Sequence, residues 1–407
     1  MFGVLKWTMA AMVGLLLGGY ILSVASLPRP WPILFVLAAL CPFLAMMVGN
    51  VQRLLLALVL LDIPFHLDIH LNYQVEAAAL GAIGGLGLSV TTVSLVGLYV
   101  IWLGKVWLGA EPRPRSALRL SLPLTTYVII AILSVAVARH VALASFEVFV
   151  LLHTFLLYTY VANTVRTRQD VLFIVVVLLV GVVLESLVMI GLGASGQDFS
   201  FAGISSRTDA TEGIGRQFHR VAGTIGSPNG AAGYLSLLLA PALSLLMTPL
   251  GRGYKWLAGL ALSLGGLALM FTFSRGGWVS FALSITLLCA LAWRRGWLSL
   301  SMPLVVLIFA ALLALPFQGA IISRLSDVEA AQSRIPLMQL AFRIIKDNPV
   351  LGVGANNSAI VMEQYATAEL SGEWLYGVHN KYLLVWTETG IGGLIAFTAF
   401  LLVTLRQ

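Results

Sequence analysis

Three residues in this sequence are placed to handle an anion and a proton. Arg220 opens the stretch Arg220-Val221-Ala222-Gly223-Thr224-Ile225-Gly226-Ser227-Pro228-Asn229, which is punctuated by glycine and proline and leads into an apolar run. Pro228 and Asn229 suit a turn followed by a helix start. Helix N-termini present unpaired N–H groups that favour anions, so an arginine at such an end can clamp a phosphate. The plainer alternative is a surface arginine that snorkels. Arg275 lies in Phe271-Thr272-Phe273-Ser274-Arg275-Gly276-Gly277-Trp278, where two apolar runs join almost without a loop. A guanidinium there sits at the edge of an apolar medium, where it is costly without a partner. The glycines after it allow a backbone or ligand to come close, and bidentate arginine recognition suits a diphosphate. The plain reading is again an ordinary interfacial arginine.

His379 is the one histidine between positions 317 and 379, and it precedes the apolar run that begins at Asn380. An imidazole titrates near neutral pH and can take a proton from a sugar hydroxyl, although a lone histidine is more often structural or solvated. Glu388 lies nine residues further on. On a continuous helix it faces away from His379 and lies about 13.5 Å along the axis. It therefore reads as the partner of a neighbouring helix or buried polar group, not of His379.

Other motifs are weaker. Gly191-Leu192-Gly193-Ala194-Ser195-Gly196 has the letters of a dinucleotide fingerprint but follows an apolar run instead of a strand. His66 and His70 could share a metal if helical, but a short loop after Pro64 is the simpler reading. There is no Asp-x-Asp pair to hold a divalent metal on a nucleotide-sugar. Asn356-Asn357-Ser358 is a glycosylation sequon by letter only. Glu185, inside an apolar run, has no assigned role. Cys41 and Cys289 lie in or beside apolar runs, which fits neither a disulfide framework nor a thiolate metal site.

The elements that must position these residues are membrane helices. The 407 residues are 59% hydrophobic and 10% charged, with a mean hydropathy of +0.96. Soluble domains are roughly a quarter charged. Apolar runs of ~20 residues, enough to cross a ~30 Å hydrocarbon core, recur from end to end, and a barrel would show short alternating segments instead. The expected fold is an all-α polytopic membrane protein with about twelve spans in a single membrane domain over 1–407. The spans read as 8–26, 31–48, 52–65, 76–103, 119–138, 145–163, 170–193, 230–248, 255–273, 276–293, 299–316 and 380–403. The first is expected to be a span and not a cleaved signal peptide. In the fourth, Gly81, Gly84, Gly85 and Gly87 suggest close helix approach. With the N-terminus inside, basic residues concentrate in the inside loops: Lys105, Arg113, Arg115 and Arg119; Arg166 and Arg168; Arg252 and Lys255. The segments 194–229, 274–275 and 317–379 then fall outside together. The last of these is a candidate loop subdomain, with an amphipathic helix from Ile335 to Lys346 stopped before Asn348-Pro349. No basic stretch is long or interleaved with aromatics, which argues against nucleic acid.

The ordered set Arg220…Gly223-Thr224…Pro228-Asn229, Ser274-Arg275-Gly276-Gly277, Asn348-Pro349-Val350-Leu351-Gly352-Val353-Gly354 and His379-Asn380…Leu383…Glu388…Gly390…Gly393 resembles the O-antigen ligase/polymerase superfamily. The resemblance runs from about residue 200 onward; the first half is similar only in hydropathy. It implies a GT-C-like fold with one large periplasmic loop before the last helix, in the bacterial inner membrane. It further implies metal-independent transfer of a glycan from undecaprenyl diphosphate to a lipid A-core or other glycan acceptor, with no cofactor. Arg220 and Arg275 take the place of the family's diphosphate-binding arginines and His379 that of its histidine. Asn229, Ser274, Asn380 and Glu388 have supporting places, and either Arg334 or Arg343 corresponds to the arginine of the long loop. A ligase and a polymerase share this chemistry. A lipid-linked oligosaccharide flippase is the rival class, disfavoured because the polar signal gathers on one side and not at the midplane. The chain ends soon after the last span, which leaves room for a further tail.

Overall fold

The computed structural model describes residues 50–116, 121–196, 199–201, 204–206, 208–213, 216–296, 318–319, 322, 334–366 and 377–406. The expected spans 8–26, 31–48 and 299–316 lie outside them. In chain order the elements begin with α1 (Val51–Phe65), β1 (Asp68–Leu71), α2 (Val75–Ala79), β2 (Leu86–Ser89) and α3 (Val90–Trp107). Helices α4 (Leu122–Ser134), α5 (Val141–Thr164) and α6 (Arg168–Ser195) follow, then strands β3 (Phe199–Phe201), β4 (Ile204–Ser206), β5 (Thr208–Gly213) and β6 (Arg216–Val221). The rest is helical: α7 (Pro228–Met247), α8 (Arg252–Phe271), α9 (Arg275–Arg294), α10 (Arg334–Asp347), α11 (Ser358–Tyr365) and α12 (Lys381–Arg406).

Among the described residues, seven helices are long and apolar enough to cross a membrane: α3, α5, α6, α7, α8, α9 and α12. Two expected spans, 52–65 and 119–138, are the shorter helices α1 and α4. The expected fourth span, 76–103, is not one helix. It breaks into α2, a turn, β2 and α3, and β2 pairs with β1. Its glycines make that turn: Gly81 has φ 87°, and a Cβ on Gly84 would meet Ala78 Cβ and Gln74 O at 2.9 Å. His66 ends α1 with φ 45° and His70 lies in β1, so the two histidines do not have helical i,i+4 spacing.

The chain divides into two compact units. The first draws on Met1–Asp68, Ser89–Ser94 and Arg168–Ser326. Its core lies between α6, α7 and α8, where Leu179, Val182, Met189, Leu235, Leu239 and Leu269 are buried. Small residues bring these helices close: Ala258, Ala261, Gly265 and Ala268 are buried on α8, and a Cβ on Gly265 would lie 2.7 Å from Leu239 Cδ2. Between helices in lipid, such close packing replaces the missing hydrophobic drive. Arg53 and Asp170 pair at the starts of α1 and α6 (3.5 Å). The second unit draws on Ile69–Leu88, Leu95–Thr167 and Asp327–Gln407. There α12 packs on α4 and α10, with Tyr127, Val385 and Ala396 buried in one cluster and Ala341, Ile345, Val378 and Leu383 in another.

Candidate functional site

In the first unit, Arg220 ends the β5–β6 hairpin, one residue before β6 closes at Val221. The turn Gly223–Ile225 then carries the chain into α7. Gly223 and Gly226 both have positive φ, 63° and 84°, which glycine alone adopts without strain. Ser227 caps α7 by accepting from Gly230 N at 3.1 Å, with Pro228 in the first turn. Ser274 caps α9 in the same way, accepting from Gly277 N at 3.3 Å, and Arg275 is the first residue of that helix. The two helix starts are packed together, since a Cβ on Gly277 would stand 2.5 Å from Ala232 Cβ.

Asn229 joins them. Its Oδ1 accepts from Arg220 Nη2 at 3.1 Å and from Ser274 Oγ at 3.0 Å. Arg220 Nε donates to the Thr272 carbonyl at 3.1 Å. These bonds orient the guanidinium, and Arg220 and Arg275 are both half-buried. Two arginines and two N-terminal helix ends thus gather in one place, which suits a multiply charged anion. The backbone is strained here as well: Phe273 has φ 47°, a conformation sparsely populated outside glycine.

Glu185 has a partner on this segment. Its Oε1 accepts from Thr224 N at 2.8 Å, and the Thr224 hydroxyl reaches both Glu185 Oε2 (2.6 Å) and the Pro64 carbonyl (2.7 Å). Both side chains are buried. The turn after Arg220 is therefore fastened to α6 and to the end of α1. The sequence left Glu185 without a role because Thr224 is 39 residues away.

In the second unit, His379 is exposed just before α12. Asn380 Oδ1 accepts from Tyr382 N (3.1 Å) and Leu383 N (3.2 Å), a side-chain cap that fixes the start of the helix. Val378, on the other side of His379, is buried with Leu383, Ala341 and Ile345. The backbone at His379 thus lies between a cap and an apolar anchor. Arg343 Nη1 donates to the Tyr365 carbonyl at 3.4 Å, and Arg334 is the first residue of α10.

Helix α12 is broken at Gly390, with φ 68° and ψ −171°. The break diverts the N–H of Ile391 to the Pro349 carbonyl (3.0 Å). The carbonyls of Thr387 and Glu388 accept instead from Val353 N (2.9 Å) and Gly354 N (3.0 Å). Backbone groups at membrane depth must find protein partners, and the segment 349–354 supplies them. Glu388 itself accepts from Ser358 Oγ at 2.7 Å. Beside it, Asn356 Oδ1 accepts from Ile83 N (2.8 Å), while its amide donates to Ile83 O and Leu143 O (2.9 Å each). Asn357 binds the backbone of His140 in the same two-way manner, through Oδ1 to N (2.7 Å) and Nδ2 to O (3.3 Å). Both asparagines are buried, so the sequon letters mark a structural joint.

Among the described residues, no group of three or more His, Cys, Asp or Glu is placed to hold a metal ion. Residues 258–398 match the family model described as O-antigen ligase. This stretch belongs to the O-antigen ligase superfamily. The match takes in Ser274, Arg275, Arg334, Arg343, His379, Asn380 and Glu388, while Arg220 and Asn229 precede it. No curated protein matches the chain. O-antigen ligase family members act in glycan transfer for lipopolysaccharide and polysaccharide synthesis. With the seven apolar helices, the family match makes this a multi-pass membrane protein.

Proposed function

We propose that the chain transfers a glycan from an undecaprenyl-diphosphate carrier to an acceptor hydroxyl at the periplasmic face of the bacterial inner membrane. The observation that carries this reading is the meeting of Arg220, Asn229, Ser274 and Arg275 at two packed helix starts, next to and within the O-antigen ligase match. The alternation of basic loops assigns 220, 275 and 379 to one side of the membrane. The acceptor oxygen attacks the anomeric carbon and the bond from that carbon to the diphosphate breaks. The leaving diphosphate takes the electron pair and His379 takes the hydroxyl proton. Arg220 and Arg275 stabilise the charge that grows on the diphosphate. A diphosphate leaves readily, so the scheme needs neither a separate acid nor a metal. Attack from the face opposite the diphosphate inverts the anomeric configuration.

The test uses purified full-length protein with a lipid-linked donor. Transfer is expected to persist in EDTA and to collapse in Arg275→Ala and His379→Ala. Undiminished turnover in His379→Ala, or loss of activity on chelation, overturns the scheme. The acceptor is read from a null strain: unattached long polymer marks a lipid A-core ligase, and single repeat units on the acceptor mark a polymerase.

A further inference from the structure

A second basic site stands in the second unit. The segment Pro112–Arg115, just past the end of α3, and the segment Asn163–Arg166, at the end of α5, enclose a cavity of about 470 Å³. Arg113, Arg115 and Arg166 line it together with Pro112 and Asn163, and no lining residue is acidic. The nearest carboxylate in sequence, Glu111, is paired with Lys105 at 3.8 Å.

This is more than a run of solvated charges, because a buried residue builds it. Asn163 is 4% exposed. Its Oδ1 accepts from Arg115 N at 2.7 Å, and its Nδ2 donates to Thr159 O at 2.9 Å. Its carbonyl accepts from Arg166 Nε and Nη2 at 3.1 and 2.9 Å. One asparagine thus ties the arginine-bearing loop to the helix end and orients a second arginine beside it. Behind it, the Tyr99, Trp102 and Tyr160 rings pack edge to face or tilted, and Tyr99 OH donates to Leu156 O at 2.8 Å. The walls are therefore fixed.

Trp107 and Leu108 are 87% and 74% exposed at the end of α3, the placement of side chains that reach into an interface. Basic pockets at the ends of membrane helices hold anionic headgroups, each cation contributing ~1 kcal/mol near the surface.

We propose that this pocket binds a phosphate group, supplied by the headgroup of an anionic phospholipid. The alternation of basic loops assigns it to the inner leaflet, since both segments fall among the inside loops. The proposal is independent of the transfer reaction.

Delipidated full-length protein is titrated with phosphatidylglycerol, phosphatidylcholine or inorganic phosphate, and binding is read by native mass spectrometry and thermal shift. Phosphatidylglycerol is expected to bind at least about tenfold more tightly than phosphatidylcholine, and Arg113→Gln with Arg115→Gln to lose about thirtyfold, as two removed cations imply. Arg113→Lys with Arg115→Lys keeps the charge and should keep most of the binding, which guards against loss through misfolding. Arg252→Gln with Lys255→Gln removes the same charge from another inside loop and should leave binding unchanged. Saturable, Arg113- and Arg115-dependent binding of inorganic phosphate alone supports the phosphate chemistry with a soluble source. No preference for either phosphate probe over phosphatidylcholine, or equal losses in both glutamine pairs, overturns the proposal.

Discussion

Asn229 is where the first unit's polar residues converge, and its amide oxygen serves Arg220 and Ser274 at once. Changing Asn229→Asp keeps an acceptor for both donors but sets a negative charge beside the guanidinium. The expected result is a KM for the lipid-linked donor raised by roughly tenfold or more with little change in melting temperature. A large fall in melting temperature with an unchanged KM would show the residue to be only structural. The helix starts that carry Asn229, Ser274 and Arg275 were legible in the sequence because each lies at a start signal or tight junction next to an apolar run, whereas Arg220 lies in β6, eight residues before α7. Asn356 and Asn357 were not, because their backbone partners lie 213 to 273 residues away. A three-residue motif carries no sign of such partners. Asn356→Asp loses two donors to carbonyls and buries a charge. Its expected outcome is a sharp drop in folded yield, monitored by size-exclusion chromatography in detergent.

At the scale of elements, glycine decides where helices stop. The expected span 76–103 was read as continuous because its hydropathy is continuous, but the turn at Gly81 and Gly84 interrupts it. The same residue type was read correctly as a close-approach signal elsewhere, as at Gly277. Helix α10 was legible within a residue or two, since an amphipathic period and the Asn348-Pro349 stop both mark it. The break in α12 had no sequence signal distinct from the neighbouring Gly392 and Gly393. It can be tested by contrast. Gly352 has φ 67°, and a Cβ there would stand 2.5 Å from Thr387 O. Gly352→Ala should therefore cost at least ~1–2 kcal/mol from the left-handed backbone alone, seen as a lowered unfolding temperature. Gly392→Ala meets nothing nearer than Ile130 Cδ1 at 3.4 Å and should stay within ~1 kcal/mol of the parent. Equal effects of the two would remove the glycine crossing from the account.

At the scale of the whole molecule, ties of very different strength hold the first unit. Arg53 and Asp170 meet at 3.5 Å with 44% and 29% of their side chains exposed, so Asp170→Asn should shift stability by less than ~1 kcal/mol. The lock of Glu185 on Thr224 is fully buried, and Glu185→Ala leaves a buried N–H without its acceptor, a loss of ~1–3 kcal/mol. Differential scanning fluorimetry of the two variants side by side reads the ranking directly, and a reversed order refutes it. In the second unit, the unit of exchange is set by the crossing at Gly390. Because residues 349–354 complete the backbone hydrogen bonding of α12, the last helix is not a module that can be traded by itself. A chimera with a distant relative joined at residue 378 separates two halves of one hydrogen-bonded piece. A junction before residue 348 moves that piece whole, and recombination between such chains should leave viable joints there.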